Sequence, residues 1–238
     1  AGPSMSPSSS LQTAIVGTER VLALAALRGT RKLLLTSSGA VYGTQPADIE
    51  RVPEEYTGTP RADDVSAGYG NGKRAAENLC TAAAAAGDLE VKIARCFAFV
   101  GPLLPLDANF AIGNFIRDAL DRERIDVVGD GTARRSYLYA ADLAIWLWTI
   151  LFNGASARPY NVGSEADLSI SDLALLVARV VRPDIPVTIA LEAIPGAQPA
   201  RYVPSTARAE GELGVEAHVV LDDAIRRTAE WTAAGPMR

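Results

Sequence analysis

The stretch "KLLLTSSGAVYG", residues 32–43, decides how this chain folds. A short apolar run that ends in small polar residues and glycine reads as a strand buried in a sheet, here over about 31–38. Its end offers two hydroxyls, Ser37 and Ser38. Twenty-six residues beyond Gly43 comes "YGNGK", residues 69–73. It opens an alanine-rich segment that reads as a helix over about 69–86 and stops at Gly87. The four-residue spacing puts Tyr69 and Lys73 on one helical face.

Outward from this pair, apolar strand-like runs alternate with helical ones. A Ser/Pro/Gly loop over 1–10 leads into a helix at about 11–28, stopped by Gly29. "VKIARCFAFVG" is nearly continuous in apolar residues and reads as a strand over 90–101, buried on both faces. Then come helix "GNFIRDAL", strand "IDVVGDG", strand "SYLYA", helix "ADLAIWLWTILF", a strand over 158–163, helix "SISDLALLVARVV", strand "PVTIAL" and a last helix at about 221–232. This order predicts an α/β fold, a doubly wound parallel sheet.

Composition narrows the function. The 238 residues carry a net charge of −5 and 48% hydrophobic residues. Acidic and basic residues are mixed, and Arg134-Arg135 and Arg226-Arg227 are only pairs, so a nucleic-acid binder is not expected. Cys80 and Cys96 lack metal-ligand spacing and suggest no disulfide framework. A reducing, cytoplasmic setting fits. Asp142 interrupts the longest apolar run, so no membrane span and no signal peptide is expected.

The Ser, Tyr and Lys suit one kind of chemistry. A phenol ionises near ~10 in water, so a base role near neutral pH needs about 3–4 kcal/mol of electrostatic help. A neighbouring ammonium and a cationic cofactor ring supply it. A serine hydroxyl at the adjacent strand end bonds the same substrate oxygen. The set suits removal of a proton from a sugar hydroxyl as hydride leaves the same carbon.

"LLLTSSGAVYG", "YGNGKRAAENL", "RCFAFVGP", "GDGTARRSYLYAADLA", "YNVGS" and "LDDAIRRTAEW" follow in the order seen in the extended short-chain dehydrogenases/reductases. The chain most resembles their NAD(P)-dependent nucleotide-sugar epimerases and dehydratases, from about Leu11 onward. The resemblance implies a Rossmann-like sheet and a smaller interleaved substrate-binding part. It implies NAD or NADP as cofactor and a nucleotide-sugar substrate. It makes Ser38, Tyr69 and Lys73 catalytic. It places Ser37, Tyr69, Lys73, Phe97, Ala98, Phe99 and Val100 at the cofactor. Ser38, Asn114, Arg135 and Arg201 would meet the substrate, the two arginines as planar forks on its diphosphate. It implies a homodimer through helices 11–28 and 69–86. The implied division is 1–102 for a partial dinucleotide-binding domain, 103–135 for a substrate-binding part, 136–164 for a return to the sheet, and 165–238 for a substrate-binding part with the C-terminal helix.

The sequence departs from that family in places. There is no strand followed by Gly-x-x-Gly-x-x-Gly to hold a pyrophosphate. "GYGNGK" follows a polar loop instead. "AGPS" resembles the residues just after the family's fourth strand, which implies that the first three or four strands are missing. Gly39 and Ala40 stand where 4,6-dehydratases carry an Asp-Glu pair and where decarboxylases carry a Glu at the second position. Epimerase or 4-ketoreductase is therefore expected ahead of dehydratase or decarboxylase, unless Asp63 or Asp64 substitutes. A catalytically silent fragment that binds a sugar nucleotide is the remaining alternative. His218 is expected on the surface, Trp146 and Trp148 in the core, and Asp142 in a structural role.

Overall fold

Strands and helices alternate along the chain, as its apolar runs dictate. A computed structural model describes residues 6–87, 89–108 and 110–235, so the "AGPS" opening lies outside the described residues. In chain order the elements are α1 (Pro7–Leu27), β1 (Lys32–Ser38), α2 (Gly68–Ala86), β2 (Glu90–Cys96), β3 (Phe99–Val100), α3 (Ala111–Asp121), β4 (Ile125–Val127), β5 (Arg134–Ser136), β6 (Leu138–Tyr139), α4 (Ala140–Asn153), β7 (Pro159–Val162), β8 (Asp167–Ser169), α5 (Ile170–Val181), β9 (Val187–Ile189), β10 (Arg201–Tyr202), α6 (Ala207–Leu213) and α7 (Leu221–Ala234).

The main sheet runs β1-β2-β7, all parallel, with Ser38 opposite Cys96 and Cys96 opposite Val162. The carboxyl ends of the three strands therefore lie side by side. On one face Cys80, Val91 and Ile93 pack with Leu22, Leu33 and Leu35, which ties α1 and α2 to the sheet. On the other face Trp146 and Ile150 of α4 pack on Ala94, Tyr160 and Val162. A second core joins α3, α5 and α7 around Ile125 and Val127. Three smaller pairings complete the strands: β3 with β6, β4 with β9, and β10-β5-β8.

Three expectations change. Helix α1 starts at Pro7, inside the presumed loop, because Ser6 accepts from the Ser9 N–H and proline suits the first helical turn. The strand expected over 90–101 breaks after Cys96. The Phe97 N–H bonds Val162, whereas the Ala98 carbonyl accepts from Leu138, so the chain changes partner strand there. Trp146 is buried at 1%, but Trp148 is 62% exposed and stacks on Phe152 at 5.6 Å. Two residues along a helix is more than half a turn, and α4 is apolar all round. Ile145 and Phe152 of α4 are exposed as well, and Lys32 of β1, whose outer edge has no partner strand among the described residues, lies over the Phe152 ring at 5.9 Å.

Asp142 is structural. It is buried, and its Oδ2 accepts from the His218 and Val219 N–H groups at 3.1 and 3.0 Å, which anchors the entry to α7. His218 itself is exposed. Asp142→Ala leaves two backbone donors without an acceptor and is expected to cost about 2–3 kcal/mol in urea unfolding. No described helix is long and apolar enough to cross a membrane.

Candidate active site

The site follows from the sheet. β1 ends at Ser38, and a short 3₁₀ turn, Gly39–Tyr42, begins there; the Ser38 Oγ accepts from the Ala40 N–H at 3.1 Å. Helix α2 then returns past the strand end. Its glycines serve packing and not phosphate. A Cβ on Gly68 would lie 2.3 Å from the Pro7 carbonyl oxygen, one on Gly70 2.6 Å from that of Ala40, and one on Gly72 3.0 Å from the Ala14 Cβ. Only glycine lets α2 approach α1 and the 3₁₀ turn this closely.

That approach brings Tyr69 into a cleft of about 710 Å³ at the carboxyl ends of β1 and β2. Ser37, Ser38, Tyr69, Phe97, Ala98, Phe99 and Arg135 all line it. Its walls from the 104–112 segment are apolar: Leu104, Phe110, Ala111 and Ile112. Tyr69 is 48% exposed. Lys73 lies one turn on, its Nζ 5.9 Å from the Tyr69 ring centroid and donating to the Thr36 carbonyl at 2.8 Å. Two further phenols line the cleft, Tyr137 and Tyr202, and burial pushes each up to about 12. Burial likewise pushes the Cys96 thiol up to about 11, so it is neutral and no nucleophile. Tyr69 is thus the cleft phenol with both solvent access and an ammonium at hand.

Other expected site residues lie elsewhere. Lys73 is not in the cleft wall; it lines a hollow of about 330 Å³ between α1 and β1. Val100 is buried in the core. Asn114 lines a neighbouring cavity of about 580 Å³, which shares Ala111 and Ile170 with the cleft. Arg201 is paired with Asp167 at 3.3 Å, beside Arg134 on the same carboxylate, and is not in the cleft wall. Its neighbour Tyr202 takes the cleft position instead. β10 pairs with β5 so that Arg201 faces Arg134 and Tyr202 faces Arg135. Alternation along the strands then sends both arginines 134 and 201 to Asp167, and Arg135 and Tyr202 to the cleft. Sequence reading missed Tyr202; its signal was the alternation, whose parity needed the pairing.

No carboxylate lines the cleft among the described residues. Asp64 reaches an adjoining cavity of about 460 Å³ that shares Ala40, Tyr69 and Tyr202. It is held by the Ser66 N–H and hydroxyl, whereas Asp63 is exposed and paired with Arg61.

A buried polar network backs the site. Ser37 donates to Glu77 at 2.5 Å, and Arg95 donates to both Glu77 oxygens at 3.0 and 2.8 Å. Arg95 also donates to the Tyr42 hydroxyl, which donates to Asn161 at 2.8 Å. Glu77 stands on α2 one turn after Lys73, so the network fixes the tyrosine helix to the ends of β1, β2 and β7.

A parallel sheet whose carboxyl edge carries a serine, with a tyrosine–lysine helix returning past it, is a Rossmann-type arrangement. The model of the "NAD dependent epimerase/dehydratase family" matches residues 4–163, and the chain belongs to that family. UDP-glucuronic acid decarboxylase 1 of Xenopus tropicalis is 32% identical over 225 residues, 94% of this chain and 52% of that protein. UDP-glucuronic acid decarboxylase 5 of Arabidopsis thaliana is 32% identical over 219 residues, 92% of this chain and 62% of that protein. The chain thus spans between half and two thirds of these relatives. RMD from Pseudomonas aeruginosa, solved with NADPH, superposes with a TM-score of 0.83 at 26% identity, covering 96% of this chain and 76% of that one. UDP-glucose 4-epimerase of Thermotoga maritima shares the fold, with a TM-score of 0.84 at 21% identity, covering 96% of this chain and 72% of that one.

Proposed function

We propose that this chain carries the catalytic and sugar-nucleotide-binding part of a NAD(P)-dependent nucleotide-sugar epimerase or 4-ketoreductase. The observation that carries the reading is a cleft with Ser38, Tyr69 and Arg135 in its wall and no carboxylate among its described residues. A nicotinamide dinucleotide supplies the hydride acceptor when bound. The residues present fit its reacting end: a hydroxyl and a phenol line the cleft at the strand ends, with the Phe97–Phe99 segment alongside, and an ammonium stands beside the phenol ring, held by the Thr36 carbonyl. Tyr69 takes the proton from the sugar hydroxyl as a carbonyl forms, and returns it in the reverse direction. Ser38 holds that oxygen. Its oxygen accepts from the Ala40 N–H, a bond that does not engage the O–H hydrogen. Lys73, held by the Thr36 carbonyl, keeps a positive charge beside the tyrosine.

Arg135 faces the cleft and suits the substrate diphosphate. The cavity at Asn114 adjoins the cleft and suits the nucleotide base. Residues 1–102 and 136–164 form the cofactor part of this reading, and 103–135 and 165–238 the sugar-nucleotide part. The homodimer through residues 11–28 and 69–86 belongs to the same reading; sedimentation at several concentrations tests it.

The relatives' names favour a second reading, loss of carbon dioxide from UDP-glucuronic acid. Gly39 and Ala40 speak against it, since neither side chain can exchange a proton. One experiment separates these readings from a silent binder. The protein is given NAD with UDP-glucose or with UDP-glucuronic acid, and melting, epimer content and released carbon dioxide are measured. UDP-glucose at about a hundred times its Kd is expected to stabilise the fold by ~2.7 kcal/mol. Epimerisation without carbon dioxide release is the expected outcome. Carbon dioxide from UDP-glucuronic acid would establish the second reading, and binding without conversion the silent one.

A further inference from the structure

We propose that Tyr202 is a second catalytic phenol, whose hydroxyl donates, together with Ser38, to the oxygen on the reacting sugar carbon. The inference rests on the epimerase/ketoreductase reading of the cleft and adds to it a residue that the tyrosine–lysine motif does not contain.

The geometry carries it. The Tyr202 hydroxyl lies 3.5 Å from the Ser38 Oγ. That is too long for a strong bond between the two, but an oxygen about 2.7–2.8 Å from each would accept from both. The Ser38 oxygen accepts from the Ala40 N–H, a bond that leaves its hydrogen uncommitted. The space for the phenol comes from Gly39. A Cβ at that position would sit 2.8 Å from the Tyr202 hydroxyl and 2.7 Å from the Phe97 ring. The phenol thus occupies the room that a side chain at residue 39 would need, and it brings a donor to a cleft wall that carries no carboxylate.

The ring is held in place. It lies against Phe97 with centroids 4.7 Å apart, and the Arg135 guanidinium stands 6.0 Å from its centroid. The next residue is fixed on both sides: the Val203 N–H donates to the Gln45 Oε1 at 2.9 Å, and its carbonyl accepts from the Val52 N–H at 2.9 Å.

The two phenols divide the work. Burial keeps Tyr202 protonated, and the Ser38 contact opposes it only in part. Tyr202 is a donor, and Tyr69 is the proton carrier. In the oxidation direction the hydroxyl proton goes to the Tyr69 oxygen, and a bound nicotinamide would accept the hydride from the same carbon. In the reduction direction negative charge grows on the carbonyl oxygen, which the two hydroxyls stabilise by donating to it.

Tyr202→Phe removes the oxygen and keeps the ring on Phe97. It is compared with the unsubstituted enzyme in two measurements: turnover of UDP-glucose, and calorimetric affinity for UDP-glucose against UDP alone. Turnover is expected to fall about ten- to a hundredfold, the loss of one hydrogen bond to the reacting oxygen. UDP affinity should stay within about twofold, while the advantage of UDP-glucose over UDP shrinks. Ser38→Ala combined with Tyr202→Phe should lose less than the product of the single losses, because both donors serve one oxygen. Unchanged turnover in Tyr202→Phe overturns the proposal. So does a loss of UDP affinity as large as the loss of turnover, which would assign the phenol to the fold or to the diphosphate. If the protein binds UDP-glucose but does not convert it, the function reading falls, and an unchanged affinity ratio between UDP-glucose and UDP then overturns the contact as well. Failure of the unsubstituted protein to bind either probe overturns both, and is seen before any variant is made.

Discussion

Tyr69→Phe is expected to abolish turnover while leaving sugar-nucleotide binding within about twofold. Proton transfer by a positioned side chain contributes about 10²–10⁴-fold, and here no neighbour can replace it. Tyr137 and Tyr202 are held protonated by burial, Cys96 is neutral, and no carboxylate lines the cleft among the described residues. The substitution removes one half-exposed oxygen and touches no core contact, so the fold should be retained. Binding is read by calorimetry with UDP-glucose and turnover by epimer content, both on the enzyme with its cofactor. Turnover within a few fold of the unsubstituted enzyme would remove Tyr69 from the mechanism.

The largest loss of stability is expected from Arg95→Ala. Arg95 and Glu77 are 13% and 12% exposed and share two hydrogen bonds. Taking away the guanidinium leaves the Glu77 carboxylate out of water with Ser37 as its remaining named partner, and also removes a donor from the Tyr42 hydroxyl. Breaking a nearly buried pair on one side costs roughly 3–5 kcal/mol. Urea unfolding should show it as a lower midpoint at unchanged slope. The double variant Arg95→Met with Glu77→Leu should recover much of the loss, because neither charge is then stranded. A single-variant cost below about 1 kcal/mol would mean that the network is wetter than its geometry indicates. The same variant should lower turnover, since Glu77 joins the tyrosine helix to the serine strand.

Much of this was legible in the chain. β1 and α2 declare themselves through local pattern: an apolar run closed by serines, and an alanine-rich segment closed by glycine. The tyrosine–lysine spacing is a property of any helix, so the face they share needed no coordinates. The start of α1 was hidden because serines cap helices as readily as they fill loops. The break between β2 and β3 was hidden because a change of partner strand leaves no mark on a uniformly apolar run.

What the sequence determined by itself is the order of strands and helices, the helical face shared by Tyr69 and Lys73, and the hydroxyls at the end of β1. Each depends on residues close together in the chain. Which of two adjacent residues faces the cleft was decided only by the tertiary structure. Arg201 was the expected ligand, yet Tyr202 lines the wall, because pairing with β5 sets the parity of β10. The room that Gly39 leaves for that phenol likewise exists only once segments more than 160 residues apart are packed together. Strand alternation fixes that neighbours point apart; only the partner strand fixes which way.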